Sequence, residues 1–459
     1  MMTPAFPGRD ASGRTLKHIE TILKMSLEKL RGANPCSASP LPVIQKALVV
    51  GGGIAGMTAV LAIADHGFKV DLVERSDSLG GMARGINRTI EGTSVADVVD
   101  KLSAGDENHP NISVHKDASV IHSQSHAGNF LTTIEVKDKG PELLDHAAAI
   151  LATGGMEAKT DAYCYGASES ILTQHELEAR IRSGALDPAK LKSVAMIQCV
   201  GSREESRNYC SRVCCTSALK NALFLREQNP DLDIYIFYRD IMTYGFLETY
   251  YTRARREGIV FIQYTPERKP DVSLNGEGGI RMTARDPILS RDIVLEPDCL
   301  VLSTGIIPNN QRMLADQFGI EVNEDGFFRE ADYKWQPVNS RKRGVFICGV
   351  AHSPRSISES IAMAQAAAQR ALCMLNREKV PPGSVVAEVR SSLCALCERC
   401  IAACPYDARR RNEDEDIIEI DQLACQGCGS CAAICPNGAS VVRGYGDRQI
   451  MAMLDAALE

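Results

Sequence analysis

Residues 46–56 read Lys46-Ala47-Leu48-Val49-Val50-Gly51-Gly52-Gly53-Ile54-Ala55-Gly56, and the reading of the whole chain starts there. A run of buried-strand residues ends at Val50, and a helical pattern over 53–65 opens directly after the glycines. A G-x-G-x-x-G turn between strand and helix is the arrangement that receives a dinucleotide pyrophosphate. Gly51 permits the tight turn, Gly53 lets backbone approach the phosphates, and Gly56 lets helix pack closely on strand. Ile54 and Ala55 open the helix, whose unpaired N–H groups and positive dipole end favour an anion. Glu74 closes the next strand, 69–74, where a carboxylate can accept hydrogen bonds from ribose hydroxyls. A structural turn without a ligand is the bland alternative, and Glu74 weighs against it.

Outward from this turn the pattern stays α/β. Residues 110–137 alternate as β-rich segments, and 147–152 form a buried strand ending at Thr153-Gly154-Gly155. A second α/β unit follows, with strands over 193–198 and 233–238, a helix over 217–227 and a β-rich return over 257–302. A strand over 344–349 and an Ala-rich helix over 357–374 come next, then a linker at 380–386. At about 150 residues per domain, 459 residues suit three domains. The boundaries read as an arm over 1–45, a dinucleotide unit over 46–160 and 295–379, an insertion over 161–294, and a tail over 380–459.

Composition narrows the class. The apolar fraction of 44% and charged fraction of 24% fit a soluble globular chain and exclude disordered, collagenous and coiled-coil types. A net charge of −7 argues against nucleic-acid binding. No apolar run approaches the ~18 residues of a membrane span, and no signal-peptide pattern opens the chain. The expected location is therefore the cytoplasm, with no direct membrane span. In the arm, Leu16, Ile19, Ile22, Leu23, Leu27 and Leu30 fall at helical spacing. That helix either packs on its own domain or docks a partner. Asp10, Glu20 and Glu28 argue against a targeting peptide.

Cysteine is the compositional outlier, with 17 copies against one tryptophan. Disulfide scaffolds are usually under about 80 residues, so clustered cysteines here point to metal or redox chemistry. Eight fall in the last 70 residues, as Cys394-x2-Cys397-x2-Cys400-x3-Cys404-Pro405 and Cys425-x2-Cys428-x2-Cys431-x3-Cys435-Pro436. This is the bacterial two-cluster ferredoxin pattern, in which the fourth cysteine of each run ligates the other cluster. One 4Fe–4S cluster is expected at Cys394, Cys397, Cys400 and Cys435, the other at Cys425, Cys428, Cys431 and Cys404. Zinc sites normally lack the third cysteine and the Cys-Pro ending.

Four more cysteines, Cys199, Cys210, Cys214 and Cys215, surround the turn where the second α/β unit would begin its helix. No second glycine fingerprint occurs there. From spacing alone an iron–sulfur cluster, buried structural cysteines and a redox disulfide all remain open. Cys36, Cys164, Cys299, Cys348 and Cys373 are scattered and read as core or surface residues.

Gly80-Gly81-Met82, Ala152-Thr153-Gly154-Gly155 and the strand Val345-Phe346-Ile347-Cys348-Gly349-Val350 resemble the FAD-binding domain of thioredoxin-reductase-like flavoproteins. That resemblance implies an α/β fold of two dinucleotide-binding domains, here with an α+β two-cluster ferredoxin tail. It implies FAD contacts at Gly51, Gly53, Ile54, Ala55, Gly56, Glu74, Arg75, Gly81, Met82, Val120, Ala152, Thr153, Gly154, Gly349, Val350 and Ile357. The strand normally ends Gly-Asp, whereas this one ends Gly349-Val350, a departure at the ribityl contact.

With Cys210-Ser211-Arg212-Val213-Cys214-Cys215, His109-Pro110-Asn111-Ile112 and Gly128-Asn129-Phe130, residues 45–445 resemble the HdrA-like family, the A subunits of heterodisulfide reductases. They are also similar to the A/B subunits of quinone-interacting membrane-bound oxidoreductases. The resemblance implies a third, non-standard 4Fe–4S cluster at Cys199, Cys210, Cys214 and Cys215. It further implies electron transfer between FAD, clusters and partners, with bifurcation or simple relay both open. The implied partners are heterodisulfide reductase B/C-like subunits and a hydrogenase, dehydrogenase or ferredoxin-type donor, around a homodimer within a larger complex. Against longer members, the resemblance leads to the expectation of no Cys-rich insertion between Gly80-Gly81-Met82 and His109-Pro110-Asn111, and of no extra cluster domain before the flavin fold unless Cys36 is a remnant. Pro354-Arg355 stands where Pro-Lys is common. No acid–base dyad stands out, so no catalytic residue is assigned and the chemistry is expected of the cofactors. The rivals are a self-contained NAD(P)H- or ferredoxin-dependent flavin oxidoreductase, like the glutamate synthase small-subunit group, a non-catalytic wiring adaptor, and a quinone-linked subunit.

Overall fold

The computed structural model describes residues 13–32, 41–126, 129–276, 278–380, 385–406, 408–422 and 424–458. Cys36, much of the Pro/Gly/Ser-rich arm and linker residues 381–384 lie outside the described residues. The chain divides into two compact units, Gln45–Gln124 with Phe130–Asn376, and Met1–Ile44, Ser125–Asn129 with Arg377–Glu459.

The larger unit holds two parallel sheets. In the first, the strands run in the order Val345–Ile347, Ala148–Leu151, Lys46–Val50, Lys69–Val73 and Ile112–His115. Val50 pairs with Val73 on one side and Leu151 on the other. A parallel strand is covered on both faces, which is why Ala47–Val50 is uninterruptedly apolar and buried. The helix Ile54–Ala64 follows and is buried on most sides. It packs on the long helix Ile357–Leu375, whose Ala364, Ala367, Ala368 and Ala371 leave room for a close approach.

The second sheet runs Ile171–Thr173, Cys299–Leu302, Ser193–Ile197, Asp233–Tyr238 and Val260–Gln263, again parallel throughout. Here the boundary drawn from sequence at 294/295 is corrected. Cys299–Leu302 lies between Ile171–Thr173 and Ser193–Ile197, so its fully apolar run belongs to the inserted sheet. The chain crosses between the two sheets by the antiparallel pair Gly155–Glu157 and Ile306–Pro308.

In the smaller unit, the helices Gly13–Arg31 and Asp447–Leu458 pack together. The Lys29 ammonium sits 3.5 Å from the Tyr445 ring centre. The arm thus shares a unit with the tail. The rest is a compact ββ arrangement, Ala387–Val389 with Ser440–Val442 and Arg409–Asn412 with Ile417–Ile420. Among the described residues, no helix is long and apolar enough to cross a membrane.

Candidate cofactor and cluster sites

The glycine turn has the shape its spacing requires. Gly51 has φ +108°, and a Cβ there would lie 2.4 Å from the Ala152 carbonyl oxygen. At Gly56 a Cβ would lie 1.8 Å from the Gly51 oxygen, so a side chain would force helix and strand apart. Gly53 faces open space, and as N-cap of Ile54–Ala64 it leaves the helix N–H groups without a side-chain cap. The buried Glu74 carboxylate accepts from the Gly52 N–H at 2.6 Å and the Ser76 N–H at 2.9 Å.

The remaining segments converge on this turn. The Gly80 N–H donates to the Gly52 oxygen at 2.7 Å, laying Gly80–Met82 on the glycines. Gly154 has φ +69° with open space beside it, and the buried Thr153 hydroxyl has no partner. A Cβ at Gly349 would meet that of Ala55 at 2.7 Å, and Val350 packs on Gly155. Ile357 opens a helix capped by Ser356 and Glu359. Gly51, Glu74, Ala152 and Gly349 all follow parallel strands and therefore gather at one sheet end. Val120 instead sends its side chain into the apolar core with Val50, Val73 and Phe130. Arg75 is exposed and Met82 half-buried.

The thiol group lies at the corresponding end of the second sheet. Cys199, just past Ser193–Ile197, has φ +60°, and Arg203 and Arg212 are also left-handed at +60° and +59°. Each such residue costs about 1–3 kcal/mol and persists only where its surroundings impose it. Arginines impose it here. Arg207 donates to the carbonyls of Gly201 at 2.8 Å and Val200 at 3.1 Å. Arg239 donates to those of Ser202 at 3.2 Å and Arg203 at 3.1 Å. Arg212 ties the Cys210–Cys214 turn to Glu359 at 2.6 Å, and Tyr244 shares that carboxylate. The Arg212 N–H donates to the Cys210 sulfur at 3.3 Å.

Cys214 and Cys215 are not in a turn ahead of the helix, as the pattern over 217–227 suggested. They occupy the first turn of Cys214–Gln228, because the Ser217 N–H already bonds the Val213 oxygen at 2.8 Å. Burial pushes the Cys199 and Cys214 thiols up and Cys215 to about 12, with the neighbouring thiols adding to each. Free thiols so raised are poor nucleophiles.

Sequence reading missed two groups beside this helix. Lys220 and Glu178 form a buried ion pair at 2.6 Å, and the Asn87 N–H also donates to Glu178 at 2.8 Å. Burial lowers the Lys220 pKa against the pull of Glu178. Burial also raises Glu157, on the crossing strand, to about 7 against bonds from Thr173 and His175. Neither carries a local signal, since their partners are distant in the chain.

In the tail, the two cysteine runs have matching backbones. Leu396 and Glu398 are left-handed in the first, Gly427 and Gly429 at the same offsets in the second. Each run then enters a short helix, Arg399–Ala402 or Ser430–Ala433. One hollow is lined by Cys394, Cys397, Cys400 and Cys435, the other by Cys404, Cys425, Cys428 and Cys431. Backbone N–H groups point at several sulfurs, Ala387 to Cys425 and Ala408 to Cys404, both at 3.3 Å. Burial raises the Cys435 thiol, but N–H groups of Ser440, Asn437, Ala439 and Gly438 outweigh it and bring its pKa below the ordinary value.

Comparison with known proteins agrees with this layout. The family described as a 4Fe-4S dicluster domain matches residues 388–436, and an NAD(P)-binding Rossmann-like domain matches 49–113. A thioredoxin reductase from Lactococcus lactis shares the fold at a TM-score of 0.51 and 19% identity, over 72% of this chain and 99% of that one. The iron-sulfur A subunit of the CoB--CoM heterodisulfide reductase of Methanocaldococcus jannaschii is 29% identical over 98% of this chain and 82% of its own length. The A subunit of the H(2):CoB-CoM heterodisulfide,ferredoxin reductase of Methanothermobacter thermautotrophicus is 29% identical over 87% and 74%. Over most of its length the chain is a relative of the A subunits of heterodisulfide reductases.

Proposed function

We propose that this chain is an electron-transfer flavoprotein subunit of a heterodisulfide-reductase-like complex, with FAD in the glycine turn and three 4Fe–4S clusters. The observation that carries the reading is the sorting of eight tail cysteines into two hollows of four; the larger unit holds a further group of four thiols. The fit at each place rests on the chain itself. Gly53 and Gly154 leave open space against backbone, the helix N–H groups are uncapped, and the Thr153 hydroxyl lacks a partner. The thiols have N–H donors aimed at sulfur, as cluster ligands do.

Flavin exchanges electrons singly or in pairs, and clusters take one at a time. The residues' part is to hold and bias these groups. Gly51, Gly53 and Gly56 admit the pyrophosphate, and Glu74 is set to accept from the ribose. Cys199, Cys210, Cys214 and Cys215 would ligate the third cluster. Arg212 and Glu359 join its loop to the helix that starts at Ile357, which holds the two sites in one arrangement. The relatives' names couple heterodisulfide, ferredoxin and hydrogen. By analogy we assign B/C-like subunits and a hydrogenase, dehydrogenase or ferredoxin-type donor as partners, in a cytoplasmic complex built on a homodimer. Delivery of electrons to a high- and a low-potential acceptor belongs to the same reading.

The test is anaerobic purification with iron, sulfide and flavin quantified, beside a Cys214→Ser/Cys215→Ser variant. About twelve irons and one FAD, falling to about eight irons in the variant, are expected. Eight irons in both would remove the third cluster. The description of the family matching 49–113 supports a second reading, NAD(P) in the glycine turn. Absence of flavin together with tight NAD(P)H binding would establish it.

A further inference from the structure

Arg203 stands four residues after Cys199 and is held from three sides. Its Nη2 pairs with Asp240 Oδ2 at 2.7 Å. Its carbonyl accepts from Arg239, and its backbone is left-handed. The Cys215 thiol donates to the Asp240 carbonyl at 3.6 Å, which places the Arg203–Asp240 pair at the thiols, and the guanidinium interacts with the Cys199 side chain. Its Nη1 is buried without an acceptor, and both amide atoms of the fully buried Gln198, next to Cys199, also lack partners. A buried donor with no acceptor is destabilising, because it has lost its hydrogen bonds to water. The cost is relieved if an anionic sulfur takes up that donor.

We propose that Arg203 donates a charge-assisted hydrogen bond to the Cys199 sulfur when that sulfur is a cluster ligand, and so raises the reduction potential of the cluster, with Asp240 as its anchor. This rests on the cluster reading above. A reduced cluster carries one more negative charge than an oxidised one, so a fixed cation and N–H donor favour reduction. Arg203 is a positioning and tuning residue and touches no substrate. Its influence is local, because the tail clusters have their own donors.

The experiment is an anaerobic redox titration of the full chain followed by electron paramagnetic resonance, comparing wild type with Arg203→Met and Arg203→Lys. In Arg203→Met the signal lost in Cys214→Ser/Cys215→Ser is expected at lower potential, by about tenfold in the reduced-to-oxidised ratio, or ~59 mV for one electron. Arg203→Lys keeps the charge without the planar fork and is expected between that value and wild type. The tail signals are expected unmoved and serve as internal controls. If Arg203→Met loses the cluster, Arg203→Lys decides on its own. An unchanged potential in a variant that retains the cluster overturns the proposal, as does loss of the cluster from both variants. If Cys214→Ser/Cys215→Ser keeps the iron and every signal of the parent, the cluster reading fails, and the proposal with it.

Discussion

Asp106 gives the sharpest quantitative prediction. It lies in the helix Val95–Asn108, fully buried, and neither carboxyl oxygen has a hydrogen-bond partner. The turn around it is tight, since a Cβ at neighbouring Gly105 would already meet Leu61 at 3.2 Å. Burial, with a smaller contribution from Glu107, raises its pKa from the ordinary 3.8 to about 8. The folded state therefore holds a proton that the unfolded chain releases near pH 4. For an acid raised in this way, stability is fully present below the unfolded value and is lost as pH climbs to the folded value. Each pH unit in that window costs about 1.4 kcal/mol. Between pH 5.5 and 8.5 the wild type should lose about 3–4 kcal/mol through this one group. Asp106→Asn is neutral throughout and should lose none of it. The assay is hydrogen exchange of the Val95–Asn108 amides in the intact protein, corrected for the intrinsic pH dependence of exchange. This reports the free energy of opening that segment without requiring reversible global unfolding. The opening free energies of variant and wild type should diverge by about 3–4 kcal/mol over that range. Parallel curves, within about 1 kcal/mol, would refute the reasoning.

The glycine turn and the tail yield two further tests. Gly56→Ala places a methyl where 1.8 Å separates it from the Gly51 oxygen, so stability and bound flavin should both fall. Gly53→Ala meets nothing within 4 Å and should unfold within about 1 kcal/mol of wild type while losing flavin at least tenfold in affinity. Equal flavin loss and equal destabilisation in the two variants would mean the turn is only structural. In the tail, Cys435→Ser should abolish the same resonance signal as Cys397→Ser, and Cys404→Ser the same as Cys428→Ser. Pairing of Cys435 with Cys428 instead would show each run ligating its own cluster.

Much of this architecture was legible because its requirements are local. The Gly51–Gly56 spacing announces a strand–turn–helix, and the structure places Lys46–Val50 and Ile54–Ala64 on either side of it. Thr173 and Glu176 cap the helix Gln174–Ser183 through a reciprocal box. That helix has little periodic signal, because its apolar stripe is narrow and only Gln174, Leu177 and Glu178 are buried. The pattern places the start of Cys214–Gln228 too late, because cysteine is an indifferent helix former and the spacing becomes regular only beyond Ser217.

The sequence by itself determined which chemistry the chain carries. Glycines at fixed offsets and cysteines in C-x2-C-x2-C-x3-C-P runs meet short-range steric and coordination needs that a few consecutive residues satisfy. Only the tertiary structure decided which distant groups meet. It took Cys299–Leu302 into the inserted sheet, brought Asp240 to Arg203, and set Glu178 against Lys220. It also buried Asp106 without a partner and ranged Cys435 beside Cys394, Cys397 and Cys400. Burial and the pairing of charges depend on strand order and on which faces are covered, and these come from the packing of the whole chain.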